Sequence, residues 1–177
     1  MRTIWNGAFI AAPVYPLVCS PGDNLAIPIA MERVQRGSVL VVSTSNFVAG
    51  YWGTVLIVAA EAAGVVGLVI DGGVRDVAAM TARSFPVFAC GISVRGTVRA
   101  SAPSVGQPTS LTGVPVAQGD LVIADDNGVI IVPSVHAERT LLASEARAAK
   151  EAAMIQKLVD RASTLELMGL TYWGKSP

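Results

Sequence analysis

Two short segments carry residues whose types and spacing can do chemistry. The first is Asp71-Gly72-Gly73-Val74-Arg75-Asp76, which follows an apolar run over 65–70. An Asp can anchor Mg²⁺ while water and substrate oxygens fill most of its coordination shell, and an adjacent Arg can pair with an oxyanion or carboxylate. Both features suit a small 2-oxo acid. The same residues also have purely structural uses: Asp71 as a turn former, Asp76 as a first-turn acid complementing a helix dipole, and Arg75 as a surface cation. The second segment is Tyr51-Trp52-Gly53-Thr54-Val55-Leu56. Gly53 lets a ligand approach the backbone, and free helix N–H groups at 54 to 56 can hold a carboxylate. Tight packing is the alternative use of that glycine.

The elements that must position these segments read as a parallel βαβαβ unit between Gly37 and Cys90. A buried strand is predicted over 38–43, a helix over 53–63 closed by Gly64 in a left-handed cap, and a strand over 65–70. Asp71-Gly72-Gly73 is expected to turn the chain, Arg75-Asp76 to start a short helix through Arg83, and 86–90 to form the third strand. Parallel sheets of this kind bind ligands at the carboxyl ends of their strands, where both segments fall. From Gly91 to Gly119 Gly, Pro, Ser and Thr are frequent, and short β segments replace helices. Apolar runs at 121–124 and 129–132 flank Asp125-Asp126-Asn127-Gly128, and Asn-Gly favours the primed turn of a hairpin. Pro133-Ser134 offers an N-cap for an Ala-rich helix to about residue 159, and 171–177 are expected to fray.

The chain has 177 residues, of which 52% are hydrophobic and 15% charged, with a mean hydropathy of +0.54. That excludes a disordered chain and predicts one α/β domain over 1–177 whose excess apolar surface is covered in a homo-oligomer. Thirteen Lys and Arg balance thirteen Asp and Glu, so no basic footprint for nucleic acid is present. The apolar runs are too short and interrupted to predict a membrane span, and residues 1–7 lack the features of a secretory signal. Cys19 and Cys90 lie in apolar segments and predict buried thiols in a reducing cytoplasm.

The stretch GTVLIVAAEAAGVVGLVIDGGVRD, then FPVFACGIS, GDLVIADDNGVIIVP and PGDNLAI at 21–27, resembles the RraA-like superfamily over nearly the whole chain. That superfamily includes class II 4-hydroxy-4-methyl-2-oxoglutarate/4-carboxy-4-hydroxy-2-oxoadipate aldolases. The resemblance implies a swivelling β/β/α fold with a long C-terminal helix and a shortened N-terminal segment. It also implies a homotrimer with clefts between subunits, and Mg²⁺ or Mn²⁺ as cofactor. By the same resemblance Asp76 is the metal ligand, Arg75 contacts the keto or enolate oxygen, and Gly53, Thr54, Val55 and Leu56 hold the carboxylate of pyruvate. Glu151 is the match for an acid donated by a neighbouring subunit, although a solvated helix carboxylate is its ordinary use. The expected function is metal-dependent retro-aldol cleavage of a small 2-oxo acid to pyruvate, or oxaloacetate decarboxylation, since both pass through an enolate.

One departure stands inside the motif. The aldolases carry Asp or Glu after the loop glycine, and this chain has Thr54, which supplies no negative charge. Thr54 therefore motivates an alternative, a non-catalytic protein-binding regulator, since the superfamily includes an inhibitor of an RNA-degrading endonuclease; a third reading is an enzyme of the same fold with another oxygenated substrate. The remaining candidates point to structure. His136 is the single histidine and suits a surface or capping role, which excludes a histidine zinc cluster. Ser43, Ser45 and Ser93 lack a His/Asp partner arrangement. Asp125 and Asp126 fit the hairpin turn, and no separate S-adenosylmethionine motif is present. Trp5, Tyr51 and Trp52 are expected in packing or interfaces, with Tyr51 and Trp52 placed to line the mouth of the carboxylate loop.

Overall fold

The computed structural model describes residues 1–102 and 104–173; residues 174–177 of the expected frayed tail lie outside them, and 171–173 form a turn. The chain forms two compact units, Met1–Ser134 and Val135–Pro177. The first opens with β1 (Arg2–Thr3), β2 (Ile10–Val18) and α1 (Ala26–Met31). There follow β3 (Val39–Ser43), β4 (Gly50–Trp52), α2 (Thr54–Ala63), β5 (Leu68–Val74), α3 (Val77–Ala82) and β6 (Val87–Ile92). After these come β7 (Ser104–Val105), the pair β8 (Thr109–Leu111) and β9 (Val114–Val116), and the hairpin β10 (Leu121–Asp125) with β11 (Gly128–Val132). One sheet runs β1-β6-β5-β3-β2-β10-β11, with β4 beside β5 and β7 beside β2.

Strands β2, β3, β5 and β6 are mutually parallel, which is the expected βαβαβ core extended by one strand. A parallel strand covered on both faces needs apolar residues at every position, and alternate residues serve opposite sides. Leu40, Val42, Leu68 and Ile70 pack with Ile27, Ile57 and Met80 of the three helices. Val39, Val41, Val69 and Phe88 pack instead with Leu111, Val116, Val122 and Ala124. The result is the swivelling β/β/α arrangement, with helices, parallel sheet and a second β layer. The Gly7 N–H donates to the Asp126 carboxylate at 3.0 and 3.2 Å, so the hairpin tip meets the segment after β1 and the sheet nearly closes. As expected, α2 ends at Gly64, whose φ of 79° is the left-handed cap.

Several local expectations are corrected. Asp71-Gly72-Gly73 does not turn the chain but lies inside β5, fully buried. Its glycines serve close approach: a Cβ at Gly73 would stand 2.6 Å from the Ala49 carbonyl oxygen, and one at Gly72 2.8 Å from Thr44 Oγ1. The hairpin forms as expected, but its turn is not primed, because neither Asp126 nor Asn127 has positive φ. Asp125 holds the tip by accepting the Asn127 N–H at 2.8 Å. Cys19 is buried, and burial pushes its thiol up to about 12, whereas Cys90 is exposed. Ile10–Val18 is a strand disguised by Pro13 and Pro16, residues that ordinarily argue against a central strand.

The second unit holds α4 (Ala137–Val159) and α5 (Thr164–Leu167). A 3-10 turn over Ser134–His136 precedes α4, so the N-cap is His136 rather than Ser134, and its side chain makes no capping bond. Among the described residues no helix is long and apolar enough to cross a membrane.

Candidate active site

Register brings the two chemical segments together. Gly50 pairs with Gly73 and Trp52 with Val74, so β4 and β5 end side by side, and the Arg75 N–H donates to the Trp52 carbonyl at 2.8 Å. Gly53 then N-caps α2 while Asp76 occupies the position before α3. The carboxyl ends of two neighbouring parallel strands therefore open into one cavity of about 300 Å³. Gly53, Thr54, Val55, Leu56, Arg75 and Asp76 all line it.

Asp76 is held in an unusual way. Its backbone is left-handed, with φ 62°, a conformation that costs a non-glycine residue energy and is best tolerated by Asp and Asn. Its Oδ2 accepts the Thr54 N–H at 2.9 Å and the Thr54 hydroxyl at 3.0 Å. These two bonds, joined by the Arg75 charge, hold the carboxyl below the usual carboxylate range. Asp76 therefore caps α2 instead of its own helix. The Val55 and Leu56 N–H groups precede the first internal bond of α2, from Ile57 N–H to the Gly53 carbonyl, and remain available to an anion.

Glycine permits the crowding. A Cβ on Gly53 would sit 2.7 Å from Asp76 Oδ2 and 3.1 Å from Arg75 Cγ, and one on Gly50 would meet the Ser93 carbonyl oxygen at 2.7 Å. The aliphatic stem of Arg75 lies over this bare backbone, and among the described residues its guanidinium makes no ion pair.

The cavity supplies one carboxylate, and no group of three His, Cys, Asp or Glu side chains able to hold a metal occurs among the described residues. This donor set fits a hydrated Mg²⁺ or Mn²⁺, which can bind through one or two carboxylates while water and substrate fill the rest; it does not fit a closed zinc cage. Asp76 Oδ1 accepts no hydrogen bond among the described residues.

Asp71, although in the same sequence segment, points elsewhere. It is buried and accepts the Thr44 N–H, the Thr44 hydroxyl at 2.8 Å and the Ser43 hydroxyl at 3.2 Å. Tyr51 lines the cavity, whereas Trp52 is buried in the core and stacks on Phe85. Glu151 belongs to α4 of the second unit, is exposed, and accepts the Arg147 Nε–H at 2.7 Å. A wider hollow of about 580 Å³ beside β1 and β6 has Arg2 and Asp126 as its charged groups. Asp126 there is already engaged by the Gly7 N–H.

The family profile described as Aldolase/RraA, RraA-like, matches residues 1–131. The chain belongs to that family. It is 28% identical over 152 residues to a Halalkalibacterium halodurans protein named "Putative 4-hydroxy-4-methyl-2-oxoglutarate aldolase", a match covering 85% of this chain and 72% of that one. An uncharacterized protein of Pseudomonas syringae pv. tomato superposes with a TM-score of 0.83 at 27% identity, over 97% of this chain and 80% of the other. RraAS2 of Streptomyces coelicolor, described as an unusual member of the RNase ES inhibitor RraA family, gives 0.78 at 26% identity, over 88% and 82%.

Within this RraA-like frame the cavity also contains Asn24, Thr97 and Arg99, which motif spacing did not single out. Asn24 stands in the PGDNLAI block, the one signal that marks it. Its Nδ2 donates to the Tyr51 carbonyl at 3.0 Å, and its buried Oδ1 has no partner among the described residues. Arg99 lies in the segment rich in Gly, Ser and Thr, where no periodicity marks a functional side chain.

Proposed function

We propose that this RraA-like protein is a divalent-metal-dependent lyase that releases pyruvate from a small 2-oxo acid, by retro-aldol cleavage or by decarboxylation of oxaloacetate. The observation that carries the reading is the convergence of Arg75, Asp76 and the start of α2 on one small cavity. The name of the Halalkalibacterium relative supports the same class.

In this reading the Val55 and Leu56 N–H groups bind the carboxylate of the 2-oxo acid at the positive end of α2. Asp76 would hold the cation through Oδ1, and the cation would supply positive charge that polarises the 2-oxo acid. Arg75 pairs with the keto oxygen. As the carbon–carbon bond breaks, its electrons pass to the pyruvate fragment; in the retro-aldol case the hydroxyl of the other fragment gives its proton to water and becomes a carbonyl, and in the decarboxylation that fragment leaves as CO2, while the Arg75 guanidinium neutralises the enolate oxygen that forms. Protonation of the enolate carbon then gives pyruvate. The proposal includes a homotrimer in which a neighbouring copy lends an acid, with Glu151 as the candidate.

A pyruvate-release assay on 4-hydroxy-4-methyl-2-oxoglutarate and on oxaloacetate, with Mg²⁺ or Mn²⁺ against chelator, tests this. Activity restored by cation supports the reading; background pyruvate in every condition rejects it. The presence of a single carboxylate in the cavity favours a second reading, a protein-binding regulator of the RraA kind. Under that reading the protein releases no pyruvate and captures a specific macromolecular partner.

A further inference from the structure

We propose that Arg99 is a specificity residue that selects, within the Arg75–Asp76 cavity, for acids carrying a second carboxylate. The inference rests on the reading of that cavity as a 2-oxo acid site and adds the residue that reads the second carboxylate, which both proposed substrates carry. Two guanidinium groups line the cavity, Arg75 and Arg99, against the single carboxylate of Asp76. If the α2 N-terminus and Arg75 engage the 2-oxo acid end, Arg99 is the cation left for the rest of the molecule. Among the described residues it has no ion-pair partner. Glu32, which shares with Arg99 the wall of an adjoining, mostly apolar hollow, forms no ion pair with it.

The backbone beneath Arg99 is built to hold it there. The Asp23 carboxylate accepts the Ala100 N–H at 2.6 Å and the Ser101 N–H at 2.7 Å, while also accepting the Leu25 N–H at 2.8 Å. Val98 N–H donates to the Gly22 carbonyl at 2.9 Å and Asn24 N–H to the Val98 carbonyl at 3.0 Å. Four bonds thus pin the 98–101 segment to the 22–25 turn, the Leu25 bond braces the turn itself, and Tyr51 fixes that turn by accepting the Gly22 N–H at 2.6 Å. This arrangement gives a surface arginine a backbone fixed on both sides, beside Val55 and Leu56, whose N–H groups would take the first carboxylate. A guanidinium so placed can grip a second carboxylate in a two-pronged contact.

The test is calorimetric binding of pyruvate, with one carboxylate, and 2-oxoglutarate, with two, to the full chain in Mg²⁺ buffer. Wild type should favour 2-oxoglutarate by roughly fivefold, the preference that an exposed ion pair of about 1 kcal/mol supports. Arg99→Gln should erase the preference while leaving pyruvate affinity within about twofold, a scatter expected of surface substitutions. Arg99→Lys should restore part of it, because it keeps the charge and loses the fork. Equal affinity of wild type for the two acids, or an unchanged preference in Arg99→Gln, overturns the role of Arg99. An equal loss of both acids in Arg99→Gln does so too, by showing a merely structural effect. If wild type binds neither acid, the 2-oxo acid reading of the cavity fails, and the role of Arg99 falls with it.

Discussion

Asp71 and Asp76 stand five residues apart on one strand and its exit loop, and their surroundings assign them opposite work. Asp71 is sealed inside β5 and its oxygens are occupied by three donors from Ser43 and Thr44. Asp76 is exposed at the strand end, with Oδ2 bonded to Thr54 and Oδ1 left available. A carboxylate whose acceptors are filled by its own fold braces the structure. One anchored by a single oxygen can keep its shape and still bind a cation.

The same substitution at both positions breaks or sharpens this contrast. Asp76→Asn, which tolerates the left-handed backbone, should lower metal-dependent pyruvate release by about 100-fold or more. Its unfolding free energy, from a urea titration, should fall by less than about 1 kcal/mol, the scale of a lost helix cap. Asp71→Asn should do the reverse. It turns an acceptor into a donor among buried donors and should cost about 2 kcal/mol in urea unfolding, with the folded fraction retaining its turnover. A stable but inactive Asp71→Asn protein would mean that the buried carboxylate belongs to the chemistry.

Thr54 sharpens the comparison from the other side. Thr54→Asp places a second carboxylate beside Asp76 while keeping the backbone N–H that orients Oδ2. Mn²⁺ affinity should rise by about tenfold, the lower end of outer-shell effects. Calorimetry showing no change in a folded variant would mean that position 54 does not reach the cation.

The smallest effect is a pH dependence at Asp23. The Leu25, Ala100 and Ser101 N–H groups lower its carboxyl to about 2 from an ordinary 3.8. A carboxyl lowered on folding contributes stability that is present above pH 3.8 and is lost as pH falls toward 2. Amide exchange at Ala100 and Ser101 should therefore accelerate as pH drops through that window, relative to the intrinsic rate. Asp23→Asn should show the faster exchange already at pH 6.

Much of the fold was legible because its signals are local. The apolar runs, the left-handed cap at Gly64 and the Asn127-Gly128 hairpin each follow from neighbouring residues. The meeting of the two site segments followed from the rule that parallel strands present ligands at their carboxyl ends. The remainder depends on distant contacts. Gly72 and Gly73 resemble a turn until the backbone of Ala49 is seen against them, and Pro13 and Pro16 conceal β2 because its pairing changes partner along its length. Arg99 could not be read as part of the site, since Asp23, which fixes its neighbours, lies 77 residues from Ala100.

The central claim is that Asp76 holds a divalent cation in a cavity that also binds a 2-oxo acid. Titration of Mn²⁺ followed by electron paramagnetic resonance, with and without pyruvate, tests it most directly. Wild type should take up Mn²⁺ more tightly when pyruvate is present, and Asp76→Asn should lose both the uptake and the enhancement. Mn²⁺ binding that is indifferent to pyruvate, or equal in the Asp76→Asn protein, would contradict the account.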